Sequence, residues 1–195
     1  MIYLASQSPR RAELLRQIGV EFSVRVADID ESRLAAESPE TYVRRIAAAK
    51  ARAVFEQLDP ASPPMPILAA DTTIALDGDI IGKPAGRDDC CRILRRLSGR
   101  EHEVLSAVAL LHEDRLELRL NRNRVRFRRI EAHELGAYCA TDEPMDKAGA
   151  YAIQGRAAVF VERLDGSYSG VMGLPLCETA ELLGEAGIEI FDDGD

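Results

Sequence analysis

Two segments, Val104 to His112 and Leu116 to Arg128, alternate apolar and polar residues and are separated only by Glu113-Asp114. They read as two long antiparallel strands, and any fold for this chain must house that hairpin. The other β-prone runs are Ile2 to Ala5, Glu21 to Ala27, Ile67 to Ala70, Thr72 to Leu76, Ile80-Ile81 after a turn at Asp77-Gly78, and Ala157 to Leu164. Helical spacing marks Ala12 to Ile18, Glu40 to Leu58, Asp88 to Leu97, Ala132 to Cys139 and Leu176 to Ala186. Four prolines, at 60, 63, 64 and 66, make that stretch a surface connection, and Asp142 to Gly155 and the glycine-punctuated run to Pro175 read as loops. The mixture implies an α/β fold with parallel and antiparallel strands in one sheet, and residues 1–195 form a single domain of a size that buries roughly 70% of its unfolded surface.

Composition excludes several function classes. No apolar run approaches the roughly 18 residues of a membrane span, and Met1-Ile2-Tyr3-Leu4 lacks the pattern of a secretory signal, so the expected compartment is the cytoplasm. Cys90, Cys91, Cys139 and Cys177 offer neither metal spacing nor a disulfide framework and read as reduced, mostly buried residues. His102, His112 and His133 show no ligand spacing and read as surface or packing residues. A formal net charge of -8 argues against a protein that coats nucleic acid but leaves room for a local basic pocket. Arg122, Arg124, Arg126 and Arg128 alternate opposite Val125 and Phe127, so that face is either a solvated exterior or an RNA-binding surface.

Four stretches carry chemistry. In "LASQSPRR" an apolar strand runs into the mouth of a helix, with Ser8 suited to the N-cap and Pro9 to the first helical position. Free N-H groups there, with Arg10 and Arg11, would cradle phosphate; the plainer alternative is a capped helix with solvated arginines. "LAADTT" places Asp71 at the end of an apolar strand, where α/β proteins open onto ligands, as either a catalytic carboxylate or a turn residue. "IGKP" offers backbone approach at Gly82 and a point charge at Lys83, although a lysine in a turn is commonly just solvated. In "EPMDKAGAYAIQG", Lys147 and Gln154 bring a cation and a two-faced amide together; Gln matches the imide edge of uracil or thymine, and the alternative is a solvated surface loop.

In this order, "LASQSPRRAELL", "YVRRIAAAKA", "AADTTIALDGDIIGKP", "EPMDKAGAYAIQG" and "GSYSGVMGLPLCET" resemble the Maf family of nucleoside triphosphate pyrophosphatases over nearly the whole chain. The resemblance implies a mixed twisted sheet with flanking helices around a central nucleotide-binding cleft, of the Maf and inosine triphosphatase kind. It implies cleavage of a nucleoside triphosphate to monophosphate and pyrophosphate, with Mg²⁺ or Mn²⁺, by a homodimer. "DKAGAYAIQG" is similar to the subgroup acting on dTTP and UTP. The resemblance carries the proton acceptor onto Asp71, specificity positions onto Arg10, Thr72 and Gln154, an acidic metal-side position onto Glu31, and basic positions onto Arg11, Lys50, Lys83 and Lys147. Asp71 would join Glu31 at the metal. The chain departs from the family pattern at Gly170, where Asn is usual. Relatives linked to septum inhibition leave a second possibility, a nucleotide-responsive regulator of cell division.

Overall fold

The computed structural model describes residues 1–59, 61 and 63–190, so the expected connection from Pro60 to Pro66 lies partly outside the described residues. Among the described residues, seven strands form one mixed sheet: β1 (Ile2–Leu4), β2 (Phe22–Val24), β3 (Ile67–Leu76), β4 (Asp79–Ile81), β5 (Glu101–His112), β6 (Arg115–Phe127) and β7 (Val161–Asp165). Their order is β2-β1-β3-β5-β6-β7, with β4 attached to β3; β1 runs parallel to β2 and β3, and every other pairing is antiparallel. The long hairpin is β5-β6, paired from His112↔Arg115 outward. Glu113 and Asp114 both take positive φ, 48° and 64°, the tight turn whose twist matches that of its flanking strands.

Strand alternation decides what each face of β3 meets. Ile67 and Ala69 share a buried cluster with Val43, Ala47, Ala51 and Val54 of α2 (Pro39–Gln57). Leu68 and Ala70 point the other way, into a cluster with Leu14 and Leu15 of α1 (Pro9–Gln17) and Leu182 and Leu183 of α6 (Leu176–Glu185). A third cluster, around Phe127, joins the far end of the sheet to α3 (Arg87–Leu97) and α4 (Ala132–Cys139). Truncating Leu15 or Leu68 to Ala, both fully buried, costs about 2–5 kcal/mol. No helix among the described residues is long and apolar enough to cross a membrane.

The structure corrects four expectations. Asp71 is not at a strand end, because Ile67–Leu76 is one continuous strand. Ser8 has extended N-cap geometry but makes no side-chain cap; its N-H instead donates to Ser6 Oγ at 3.2 Å. The strand expected from Ala157 begins at Val161, because Arg156–Phe160 is a 3₁₀ turn whose first amides donate to the distant Glu143 carboxylate. The expected loop before Pro175 contains a short helix, α5 (Tyr168–Met172), capped by Ser167 Oγ accepting from Gly170 N at 3.0 Å. Cys90 and Cys139 are buried, Cys91 half-buried and Cys177 exposed, all as free thiols.

The arginine row on β6 finds partners. Arg122 pairs with Glu40, Arg124 with Asp165 at 2.5 Å, Arg126 with Glu162 at 2.9 Å and Arg128 with Glu134 at 2.7 Å. Val125 and Phe127 between them are fully buried. The cations face water as halves of ion pairs, which favours the solvated exterior over an RNA-binding surface.

Candidate active site

The sheet leaves a gap along one edge of β3. On that edge β1 pairs only as far as Leu4↔Leu68, and β4 begins only at Ile74↔Ile81. Residues 69–73 between them are held by β5 on the other side alone, through pairs such as Asp71↔Ala107 and Thr72↔Ser106. A cleft of about 920 Å³ opens at this gap.

Alternation now assigns partners. Asp71 follows Ile67 and Ala69 toward α2, where Lys50 lies on the same helix face as Ala47 and Ala51 and places Nζ 2.8 Å from Asp71 Oδ1. Thr72 follows Leu68 and Ala70 toward α1, where Arg11 donates from NH2 to Thr72 Oγ1 at 3.4 Å, from NH1 to Ser6 Oγ at 3.1 Å and from Nε to the Gly173 carbonyl at 2.8 Å. Behind Thr72, the buried Ser106 hydroxyl meets Thr72 Oγ1 at 2.8 Å and donates to the Gly170 carbonyl at 2.7 Å, tying the cleft floor to α5.

Glu31 arrives from outside the sheet. It lies in the irregular segment before α2, which that helix pins: the Tyr42 hydroxyl donates to the Glu31 carbonyl at 3.0 Å, and Arg45 donates to the Ser32 carbonyl at 2.9 Å while gripping both oxygens of Glu37. The Glu31 carboxylate then meets Lys50 Nζ at 2.8 Å, so one ammonium bridges two acids.

The opposite wall is the segment from Asp142 to Gly155. Glu143 organises it, accepting from the Tyr138 hydroxyl at 3.0 Å and from the amides of Arg156 and Ala157 at 2.8 and 3.2 Å. Lys147 Nζ donates to the Glu143 carbonyl at 2.5 Å. Gly149, with φ of 69°, makes a turn that other residues rarely adopt, and its amide reaches the Gly82 carbonyl at 3.0 Å, docking this segment on the one bearing Lys83.

Ser8, Arg10, Arg11, Glu31, Lys50, Asp71, Thr72, Lys83, Lys147 and Gln154 all line this one cleft. Residues from five distant stretches of sequence therefore converge. Tyr42, Ser6 and Tyr151 also line it, without having been singled out from the sequence. Tyr42 carried a signal, since it precedes Lys50 by about two turns on one helix. Ser106 and Glu143 carried none, because their roles depend on contacts far along the chain.

The field in the cleft is strongly perturbed. Burial raises the Asp71 carboxyl above its usual pKa, with Lys50 and Arg11 opposing and Glu31 adding to the rise. For Glu31 burial acts in the same upward sense, yet the hydrogen bond and charge of Lys50, with Lys83 and Arg11, hold the group below its usual value. Burial lowers Arg11, and burial followed by the charge of Arg10 lowers Lys147. Burial and the charges of Asp71 and Glu31 push the Tyr42 phenol up to about 12. Among the described residues no group of three or more His, Cys, Asp or Glu side chains is placed to hold a metal ion by itself. Glu31 and Asp71 do converge on a single cation, the Lys50 ammonium, and two carboxylates with further oxygen ligands are the donor set that hard divalent cations prefer.

The family model described as "Maf-like protein" matches residues 1–186. The chain is 53% identical over 190 residues to a dTTP/UTP pyrophosphatase of Alkalilimnicola ehrlichii, covering 96% of this chain and 94% of the relative. It is 52% identical over 189 residues to the dTTP/UTP pyrophosphatase of Methylobacillus flagellatus, covering 97% and 94%. It is 50% identical over 199 residues to that of Nitrosomonas europaea, covering 97% and 96%. Among solved structures, the Ham1 protein of Staphylococcus aureus has a similar fold, with a TM-score of 0.52 at 14% identity over 94% of this chain and 98% of that one.

Proposed function

The chain belongs to the Maf family, and from that premise we propose that it hydrolyses dTTP and UTP to the nucleoside monophosphate and pyrophosphate. One observation carries the assignment of parts: a buried carboxylate with a raised pKa sits at the floor of a cleft whose lining supplies five cations. Asp71 is the general base that takes the proton from the attacking water, and its elevated pKa brings it nearer the range in which a base works at neutral pH. Position is secured by β3, which fixes its backbone, and by Lys50.

Arg10, Arg11, Lys50, Lys83 and Lys147 hold the polyphosphate, and the α1 mouth, left without a side-chain cap at Ser8, offers backbone N-H groups to the same charge. Arg11 is braced by three acceptors, so its planar donors are oriented before substrate arrives. Gln154, exposed toward the cleft, reads the imide edge of uracil and thymine, with Arg10 and Thr72 contributing to selectivity. Glu31 and Asp71 would hold a divalent cation together with phosphate oxygens, where it would neutralise developing charge on the leaving pyrophosphate. As finer parts of the same proposal, residues 1–195 act as one domain and as a homodimer in the cytoplasm, which sedimentation and fractionation would check.

The test is pyrophosphate release from a panel of natural and modified triphosphates, with Mg²⁺ and with Mn²⁺. Asp71→Asn should fold and lose roughly 10² to 10⁴ in turnover. Near-normal release by that variant would remove Asp71 from the role, and binding without release by the wild type would favour a regulator over an enzyme.

A further inference from the structure

The Lys50 ammonium lies between two carboxylates brought from different parts of the chain, 2.8 Å from Asp71 Oδ1 on the sheet and 2.8 Å from Glu31 Oε1 in the segment before α2. These are the oxygens that a divalent cation would use in the function proposed above, and the present inference rests on that reading. One ammonium and one metal ion therefore compete for the same acids. Lys50 has little freedom to retreat into solvent: its side chain is 17% exposed and rises from the face of α2 beside the buried Ala47 and Ala51. A phosphate oxygen entering the same cleft would offer the ammonium another acceptor.

Charge makes the exchange conditional. A divalent ion placed beside the ammonium would set three positive charges against two carboxylates, with Arg11 and Lys83 already acting on Glu31. A triphosphate entering the cleft supplies the missing negative charge and an acceptor for Lys50. We propose that Lys50 is a tethered counter-ion, which keeps the two metal-binding carboxylates closed to free divalent cations and releases them when a polyphosphate arrives to receive its ammonium. Metal and nucleotide then bind cooperatively, each raising the affinity of the other by the same factor.

The experiment titrates Mn²⁺ alone, without nucleotide, into the wild type, Lys50→Met and Lys50→Gln, reading free Mn²⁺ by electron paramagnetic resonance. Met retains the aliphatic stem, Gln is a second neutral variant should Met disturb α2, and a circular dichroism melt checks that each is folded. Both neutral variants should bind Mn²⁺ at least about tenfold more tightly than the wild type, a change of about 1.4 kcal/mol. Adding Asp71→Asn to Lys50→Met should remove the gain. Equal Mn²⁺ affinity in the wild type and a folded neutral variant would overturn the proposal, as would a gain that survives loss of the Asp71 carboxylate. A dTTP analogue with a methylene bridge between its α and β phosphorus atoms separates this failure from a deeper one. If the analogue binds the wild type in Mg²⁺ and the Mn²⁺ affinities are equal, the counter-ion role alone falls; if it does not bind, the nucleotide function falls and takes the coupling with it.

Discussion

Acid should weaken this protein through one buried ring. His102 is 2% exposed, wedged edge-on against Phe127 and Tyr151, with Nε2 2.9 Å from the Tyr151 hydroxyl. Its Nδ1 has no hydrogen-bond partner among the described residues. An imidazolium needs acceptors for two N-H groups and finds at most one here, so burial lowers the pKa from 6.5 to about 4. As pH falls, the unfolded chain takes up this proton before the folded one does. The stability owed to the neutral ring is therefore whole above 6.5 and is lost as pH falls toward 4. Between about pH 7 and about pH 5 the loss comes to about 2 kcal/mol, or about 4–8 °C in Tm for a chain of this length. Glu37 and Glu134, held low by hydrogen bonds from Arg45 and Arg128, stabilise above the usual carboxylate pKa of 4.5 and lose that contribution only below it, outside this interval. The assay compares thermal unfolding of the wild type and His102→Gln at the two pH values, the glutamine amide still reaching Tyr151. The variant should lose far fewer degrees on acidification. An equal loss in both proteins would refute the argument, whatever the variant's Tm at neutral pH.

Three other outcomes are expected. Gln154→Ala should weaken dTTP and UTP relative to CTP by about 10- to 100-fold in kcat/KM, and an unchanged ratio would dismiss the imide contact. Glu143→Ala strands the Tyr138 hydroxyl and two amides and frees the strap bearing Lys147 and Gln154; Tm should fall by about 4–8 °C, for a loss of about 2 kcal/mol, while the KM for dTTP rises, and an unmoved Tm would count against it. Gly170→Asn restores the family's usual residue, yet a Cβ there would lie 2.1 Å from Asn121 Oδ1, whose side chain is bonded to Glu178 and Asn123. It should cost about 1–3 kcal/mol in a denaturant melt and be largely repaired by adding Asn121→Ala, whereas simple additivity would show that the two sites do not compete for space.

Much of this architecture is local and was legible for that reason. The β5-β6 hairpin follows from alternation, α4 spans Ala132–Cys139 as its spacing predicts, and the inward Val125 and Phe127 follow from period two. The placing of Asp71 was not local. A strand end and a strand centre look alike in "LAADTT", and only the sheet order shows that β1 stops at Leu68 and β4 starts at Ile74. The 3₁₀ turn at Arg156 escaped notice because its amides are satisfied by a carboxylate thirteen residues earlier, and α5 because glycine and serine are poor helix formers rescued by a cap. The candidate residues came from motifs and do share one cleft, but the tie from Ser106 to α5 and the grip of Arg45 on the Glu31 segment join positions that no short pattern connects.

The proposed base and the proposed selector stand on different kinds of support. Asp71 is woven into a ten-residue strand within the sheet, whereas Lys147 and Gln154 ride on an irregular strap tied down by the Glu143 carboxylate and by the Gly149 amide on the Gly82 carbonyl. Mutation can redraw that strap without disturbing the carboxylate proposed as the base. On the proposed reading, a new choice of nucleotide asks for a new strap and no new reaction.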